Sequence, residues 1–140
     1  MTNMKLNLSY SVLGLILCGA LHAATWQPYA EAQITMAQWQ EYYDSVVAEL
    51  GDTREELAEA KLVSFTDQAT HTFYAFTAAD HPAHPAWITR QVVEQDGGIS
   101  IQQIGYFAGE EDPFAALFDD YLALSEELRA GFAGESESTD

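Results

Sequence analysis

Two imidazoles and a carboxylate fall within the short run Asp80-His81-Pro82-Ala83-His84-Pro85. Imidazole nitrogen and carboxylate oxygen suit zinc or copper where no thiolate is at hand, and a trio of protein ligands leaves one coordination position open. A proline after each histidine narrows the backbone and so reduces the entropy lost on ordering the loop around an ion. The same prolines have a plainer use, because each biases the histidine before it towards the extended backbone that a connection between strands requires. Asp80, His81 and His84 are therefore candidate metal ligands and equally the residues of a proline-stiffened hairpin loop. Unperturbed imidazoles in such a loop would also change charge near pH 6.5. His71 is disfavoured as a further ligand within one subunit: it lies early in a strand expected to run on to about Thr77, and at about 3.3 Å per residue that strand carries the loop on the order of 20 Å away.

The remaining chemistry-bearing residues have simpler roles. Glu110, Glu111 and Asp112 precede or open a predicted helix, where the macrodipole favours negative charge. Asp119-Asp120 and Glu126-Glu127 fall on the polar side of that helix, and adjacent solvated carboxylates lack the sheltered site that raises one pKa for acid–base work. Ser64 and Ser100 sit in predicted strands without a G-x-S-x-G elbow, and Gly97-Gly98 leads into a strand without a Lys-Ser/Thr pair, unlike a phosphate loop. Arg90, flanked by Thr89 and Gln91, is expected to pair with an acid across the sheet or on a helix. No catalytic set emerges.

Whatever these residues do, the chain carries an export address. Residues 1–10 hold Lys5 and no acid, residues 12–21 form an apolar core, and Ala23-Ala24 offers a small-residue cleavage site. The core is shorter than the roughly 20 residues that span a bilayer. Residues 1–23 therefore read as a cleavable signal peptide, and the protein as periplasmic or secreted and not membrane-spanning. Cys18, the only cysteine, lies inside the signal. Leu17 stands where a lipoprotein cleavage site takes a small residue, which argues against lipidation. The mature chain then has no disulfide, thiolate metal site or cysteine nucleophile, and rests on its apolar core.

Charge narrows the partners. Five Lys and Arg face 22 Asp and Glu, a formal net charge of −17. Such a field repels nucleic acid and anionic membranes, whose binders depend on Lys and Arg. It attracts basic partners and keeps the chain soluble.

The elements follow from periodicity. Residues 26–33 read as an irregular lead-in. Thr35 and Gln38 have capping-box spacing, Ile34 and Trp39 are placed as a hydrophobic staple, and Met36, Trp39, Tyr43, Val46, Val47 and Leu50 recur at helical spacing up to Gly51. Thr53 and Glu56 repeat the box and predict a short second helix to about Ala60. From residue 62 the period becomes two, and residues 62–66, 70–77, 87–94 and 99–107 are predicted strands, the last pair joined by a turn at Asp96-Gly97-Gly98. Ile99 and Ile101 share one parity while Ile104 and Tyr106 share the other, which predicts a bulge near Gln102-Gln103. Asp112 as cap and Pro113 as first residue open a last helix with an apolar stripe through Phe114, Leu117, Phe118, Tyr121, Leu122, Leu124, Ser125 and Leu128.

The expected fold is α+β in two layers: N-terminal helices, a four-stranded antiparallel meander and a C-terminal helix, with the first and last helices on one face. A single domain spans residues 24–132, and residues 133–140 read as a disordered acidic tail. The functional expectation is a small exported non-enzymatic protein that binds a protein partner, basic by charge. Its contact surface would be the less covered sheet face around Tyr74 and Trp87. Inhibitors of basic hydrolases share this physical profile. The alternative is a metal- or small-ligand-binding protein that uses Asp80, His81 and His84, with a small hydrolase third.

Overall fold

The computed structural model describes residues 31–136, so the expected signal and residues 137–140 lie outside the described residues. Helix α1, Met36–Leu50, begins as its spacing requires. The Gln38 N–H donates to Thr35 Oγ1 (3.2 Å) and the Thr35 N–H to Gln38 Oε1 (2.9 Å). A single 3-10 turn, Gly51–Thr53, follows it.

The predicted second helix does not form. Thr53 donates its hydroxyl to Leu50 O (2.8 Å) and accepts the Thr66 N–H (3.0 Å), so it ties the 3-10 turn to the sheet and caps nothing. Glu55–Leu57 is instead strand β1, paired antiparallel with β2, Leu62–Asp67. An available strand edge has overridden local helix propensity. Strands β3 (Thr72–Thr77), β4 (Ala86–Gln95) and β5 (Gly98–Phe107) complete an antiparallel meander in the order β1-β2-β3-β4-β5, five strands where four were expected. Just before α1 the chain adds a parallel bridge to the end of β5, with the Ile34 N–H donating to Phe107 O and the Phe107 N–H to Ala32 O, each at 2.9 Å.

The β4–β5 register runs unbroken from Ala86↔Phe107 to Gln95↔Gly98, so the expected bulge at Gln102-Gln103 is absent. The turn between them has Asp96 at φ 53° and Gly97 at φ 77°, the paired positive values of a two-residue type I′ connection. Both parities of β5 are apolar because both faces of the sheet are buried. On one face Phe76, Trp87 and Tyr106 line up across three strands beneath α1. On the other, Ala75, Ile88 and Gly105 line up beneath helix α2, Glu111–Ser136. The two helices thus take opposite faces, a three-layer arrangement in place of the two layers expected.

Bulk is divided unequally between the faces. The α1 side meets Trp39, Tyr42 and Tyr43 with sheet aromatics, and Tyr42 stacks on Trp87 with centroids 4.4 Å apart and planes within 7°. The α2 side sets the small residues Ala75, Ala86 and Gly105 among Leu62, Ile88 and Phe107, and lets the helix come close at Gly105. Helix α2 begins at Glu111, so Pro113 lies inside the first turn, where its missing N–H is still no loss. Its backbone stays helical through residues 133–136.

Candidate functional site

The loop between β3 and β4 carries the sequence-predicted ligands but sends them to different layers. His84 Nδ1 lies 2.9 Å from Thr77 Oγ1 and 3.1 Å from Thr77 O, and its ring meets Trp39 edge-on at 5.1 Å on the α1 side. His81 instead borders a groove with Leu117, Tyr121 and Leu124 of α2. Thr77 donates its own hydroxyl to Ala86 O (3.1 Å) and accepts the Ala86 N–H (3.0 Å), so His84 Nδ1 must be the donor in its pair. His81 Nδ1 has the reverse role, because it accepts the Ala83 N–H at 3.0 Å. Neutral His81 therefore holds its proton on Nε2 and has no second lone pair to give an ion. Asp80 is drawn to Lys61 at 3.8 Å on the exposed surface. Among the described residues no group of three or more His, Cys, Asp or Glu is gathered to hold a metal. His71 lies beyond the other end of β3, in the turn before Thr72.

Burial, then the charge of Lys61, lowers the His81 pKa below the usual histidine value, and the charge of Asp80 opposes this. A lowered folded pKa means that the unfolded chain binds more protons in the window just below pH 6.5. The His81 contribution to stability is then full above that window and declines as pH falls through it. Thermal unfolding followed from pH 7.5 to pH 5.5 should show a smaller acid-side loss in His81→Asn than in the natural chain. An identical pH profile would assign no part of the dependence to His81.

Trp87, expected on a contact surface, is 0% exposed and belongs to the α1-side core, since α1 covers that end of the sheet. Tyr74, its companion in that expectation, is half-buried and stands near Tyr42 at 6.5 Å between centroids. Among the described residues Arg90 forms no ion pair with an acid. It is buried on the α2 side, donates its Nε–H to Ser125 Oγ at 3.1 Å, and lies 5.4 Å from the Tyr121 ring centroid and 6.0 Å from that of Phe73. Burial lowers its pKa, and the ring faces and the serine offset part of the lost hydration. Arg90 is a clamp that holds α2 to the sheet, one step beyond the Gln103 Nε2 donation to Phe118 O (2.9 Å).

That clamp marks where cover on α2 ends. Phe114, Leu117, Tyr121, Ser125, Leu128 and Phe132 recur at helical spacing as one stripe. Ser125 is 7% exposed, whereas Leu128 is 43% and Phe132 is 47% exposed. The sheet face below α2 behaves in the same way, because Val92 and Ile99 lie past Arg90 towards the β4–β5 turn and are both exposed. Leu122 and Leu124 add exposed apolar surface next to the stripe. Asp119, Asp120, Glu126 and Glu127 are exposed around it, and only Glu126 is paired, with Arg129. The overhang was missed from sequence, where the stripe looked uniformly buried. Its one legible signal is the helix length, set against strands of ten residues or fewer.

No helix among the described residues is long and apolar enough to cross a membrane. Compared with protein-family models, curated proteins and solved structures, the chain matches none.

Proposed function

We propose that this protein is a non-enzymatic binding module that takes a basic protein partner on the uncovered part of α2 and the adjoining β4–β5 hairpin. The observation that carries this is the apolar stripe of α2 continuing past Ser125 to Leu128 and Phe132 without the sheet beneath it. An exposed contiguous apolar patch rimmed by charge marks an interaction surface. The rim is acidic and the chain has a net charge of −17, so the partner that fits is one whose own apolar patch is bordered by Lys and Arg. Only a few side chains on α2 form the stripe. A specific interface of about 800 Å² per partner therefore has to reach Val92 and Ile99 as well. The export signal read at residues 1–23 puts the encounter in the periplasm or outside the cell.

Immobilised natural chain and a Leu128→Glu, Phe132→Glu variant, both exposed to the native envelope fraction, test this reading. A basic protein held in stoichiometric amount by the natural chain should be lost by the variant. It should also be released as salt is raised from about 0.05 M to 0.2 M, because screening weakens the long-range attraction. Circular dichroism should show both chains equally folded, since the altered residues are exposed. A retained protein indifferent to both changes would refute the assignment.

A further inference from the structure

Among the described residues, helix α1 covers only one end of its sheet face, and the rest of that face is an open cavity of about 350 Å³, within the size range of small-ligand sites. Tyr42 stands at the α1 side of this cavity. The cross-strand row Tyr74, Thr89 and Ile104 lines it, and Asp67 and Gln91 lie further along the same face. It is on the opposite face from the exposed stripe of α2, so the two surfaces are independent.

Among the described residues the lining has one charged side chain, Asp67, and no base. Asp67 is held in place: Oδ2 accepts the Thr70 hydroxyl at 2.8 Å and Oδ1 accepts the Ala69 N–H at 2.9 Å. These bonds, the Thr70 hydroxyl foremost, keep its pKa below the usual carboxylate range, so the charge persists at neutral pH. Burial, then the charges of Asp67 and Glu49, pushes the Tyr74 phenol up and keeps that ring neutral. Thr89 is only 8% exposed, and its Oγ1 is buried without a hydrogen-bond partner. Gln91 donates one Nε2–H to Thr70 O at 3.2 Å, which turns that nitrogen to the turn and leaves Oε1 as an acceptor beside the second N–H. A carboxylate, two tyrosine rings and an amide oxygen match a group that is cationic and carries N–H donors.

We propose that this groove binds a primary ammonium group, with Asp67 as its counter-ion, Tyr42 and Tyr74 as aromatic walls, and Gln91 Oε1 as a hydrogen-bond acceptor. An anion would meet Asp67 and the field of the whole chain. A neutral polyol could hydrogen-bond to the amide and the carboxylate but would leave the carboxylate charge uncompensated. The ammonium could arrive on a free amine or on a lysine side chain.

Calorimetric titration of the full chain at pH 7.5 and about 0.15 M salt, where surface attraction is screened, separates these cases. The probes are putrescine, N-acetyl-lysine amide and glucose. Saturable binding of at least one amine, with glucose inert, is the expected result, and the tighter amine identifies the source. Asp67→Asn keeps an oxygen for the Ala69 N–H, so the turn should survive, but it removes the charge. That change should weaken the amine by roughly tenfold or more, on the scale of a charge-assisted hydrogen bond. Gln91→Leu should weaken it to a smaller degree. Asp96→Asn makes the same charge change at the hairpin turn and should leave affinity unaltered. Glucose binding in preference to both amines, equal losses in Asp67→Asn and Asp96→Asn, or no saturable binding would each overturn the assignment.

Discussion

Replacing Trp87 with alanine is expected to lower folding stability by about 3–5 kcal/mol, the range for emptying a large aromatic site in a core. The residue is fully buried and has rings on several sides: Tyr42 stacked at 4.4 Å, Tyr106 at 4.9 Å and Phe76 at 5.8 Å. Two of these neighbours are on flanking strands and the third is on α1, so removing the indole loosens the sheet and the helix together. The loss is large against a domain stability of about 5–15 kcal/mol. Trp87→Phe gives the control. It keeps a ring and removes an indole N–H that has no hydrogen-bond partner, so its loss should be under about 1.5 kcal/mol. Urea unfolding checks both variants, with a lower midpoint and an unchanged slope as the expected signature. A stable Trp87→Ala protein that fails only in binding would return this residue to the contact surface.

Gly105→Val should be the second large loss, and the direction is the informative part. Valine suits a strand better than glycine does, so at an exposed strand position this change adds stability. Here a Cβ alone would stand 2.9 Å from Ile88 Cδ1, 2.9 Å from Phe114 Cζ and 3.0 Å from Phe118 Cδ2. Phe114 cannot swing aside freely because it is stacked on Phe107 at 4.7 Å. Relief requires α2 to lift from the sheet, which weakens the Arg90 contact with Ser125 further along the helix. The expected loss is about 1–3 kcal/mol or somewhat more, the range for overpacking a filled core. Hydrogen exchange should show the amides of α2 losing protection first. A variant as stable as the natural chain would mean that α2 does not pack as closely at Gly105 as described.

Local elements were largely legible in the sequence because their signals are local. The reciprocal bonds of Thr35 and Gln38, the positive φ values at Asp96 and Gly97, and the period-two runs of the long strands each depend on residues a few positions apart. The errors share one cause. Thr53 with Glu56 reads as a helix start only while the strand edge beside it is unknown. Ile101 and Ile104 call for a bulge only if one face of the sheet is polar. Trp87 looks available for a partner only if α1 and α2 share a face.

The candidate sites divide in the same way. Asp80, His81 and His84 were visible as a constellation, but sequence proximity could not show that His84 packs on Trp39 while His81 borders α2. The groove at Asp67, Tyr74, Thr89 and Gln91 was invisible, because its residues come from separate strands and meet only through register.

By itself, then, the sequence determined the types of the long elements, the hairpin turn and the acidic field. Those follow from short-range backbone preferences and from composition. Only the tertiary structure decided which face each helix takes, and through that which apolar residues are core and which are surface. The physical reason is that a strand or helix records the periodicity of its burial but not the identity of what buries it. That partner is fixed by small residues such as Ala75 and Gly105, which admit α2 on one face, and by the large aromatics that meet α1 on the other.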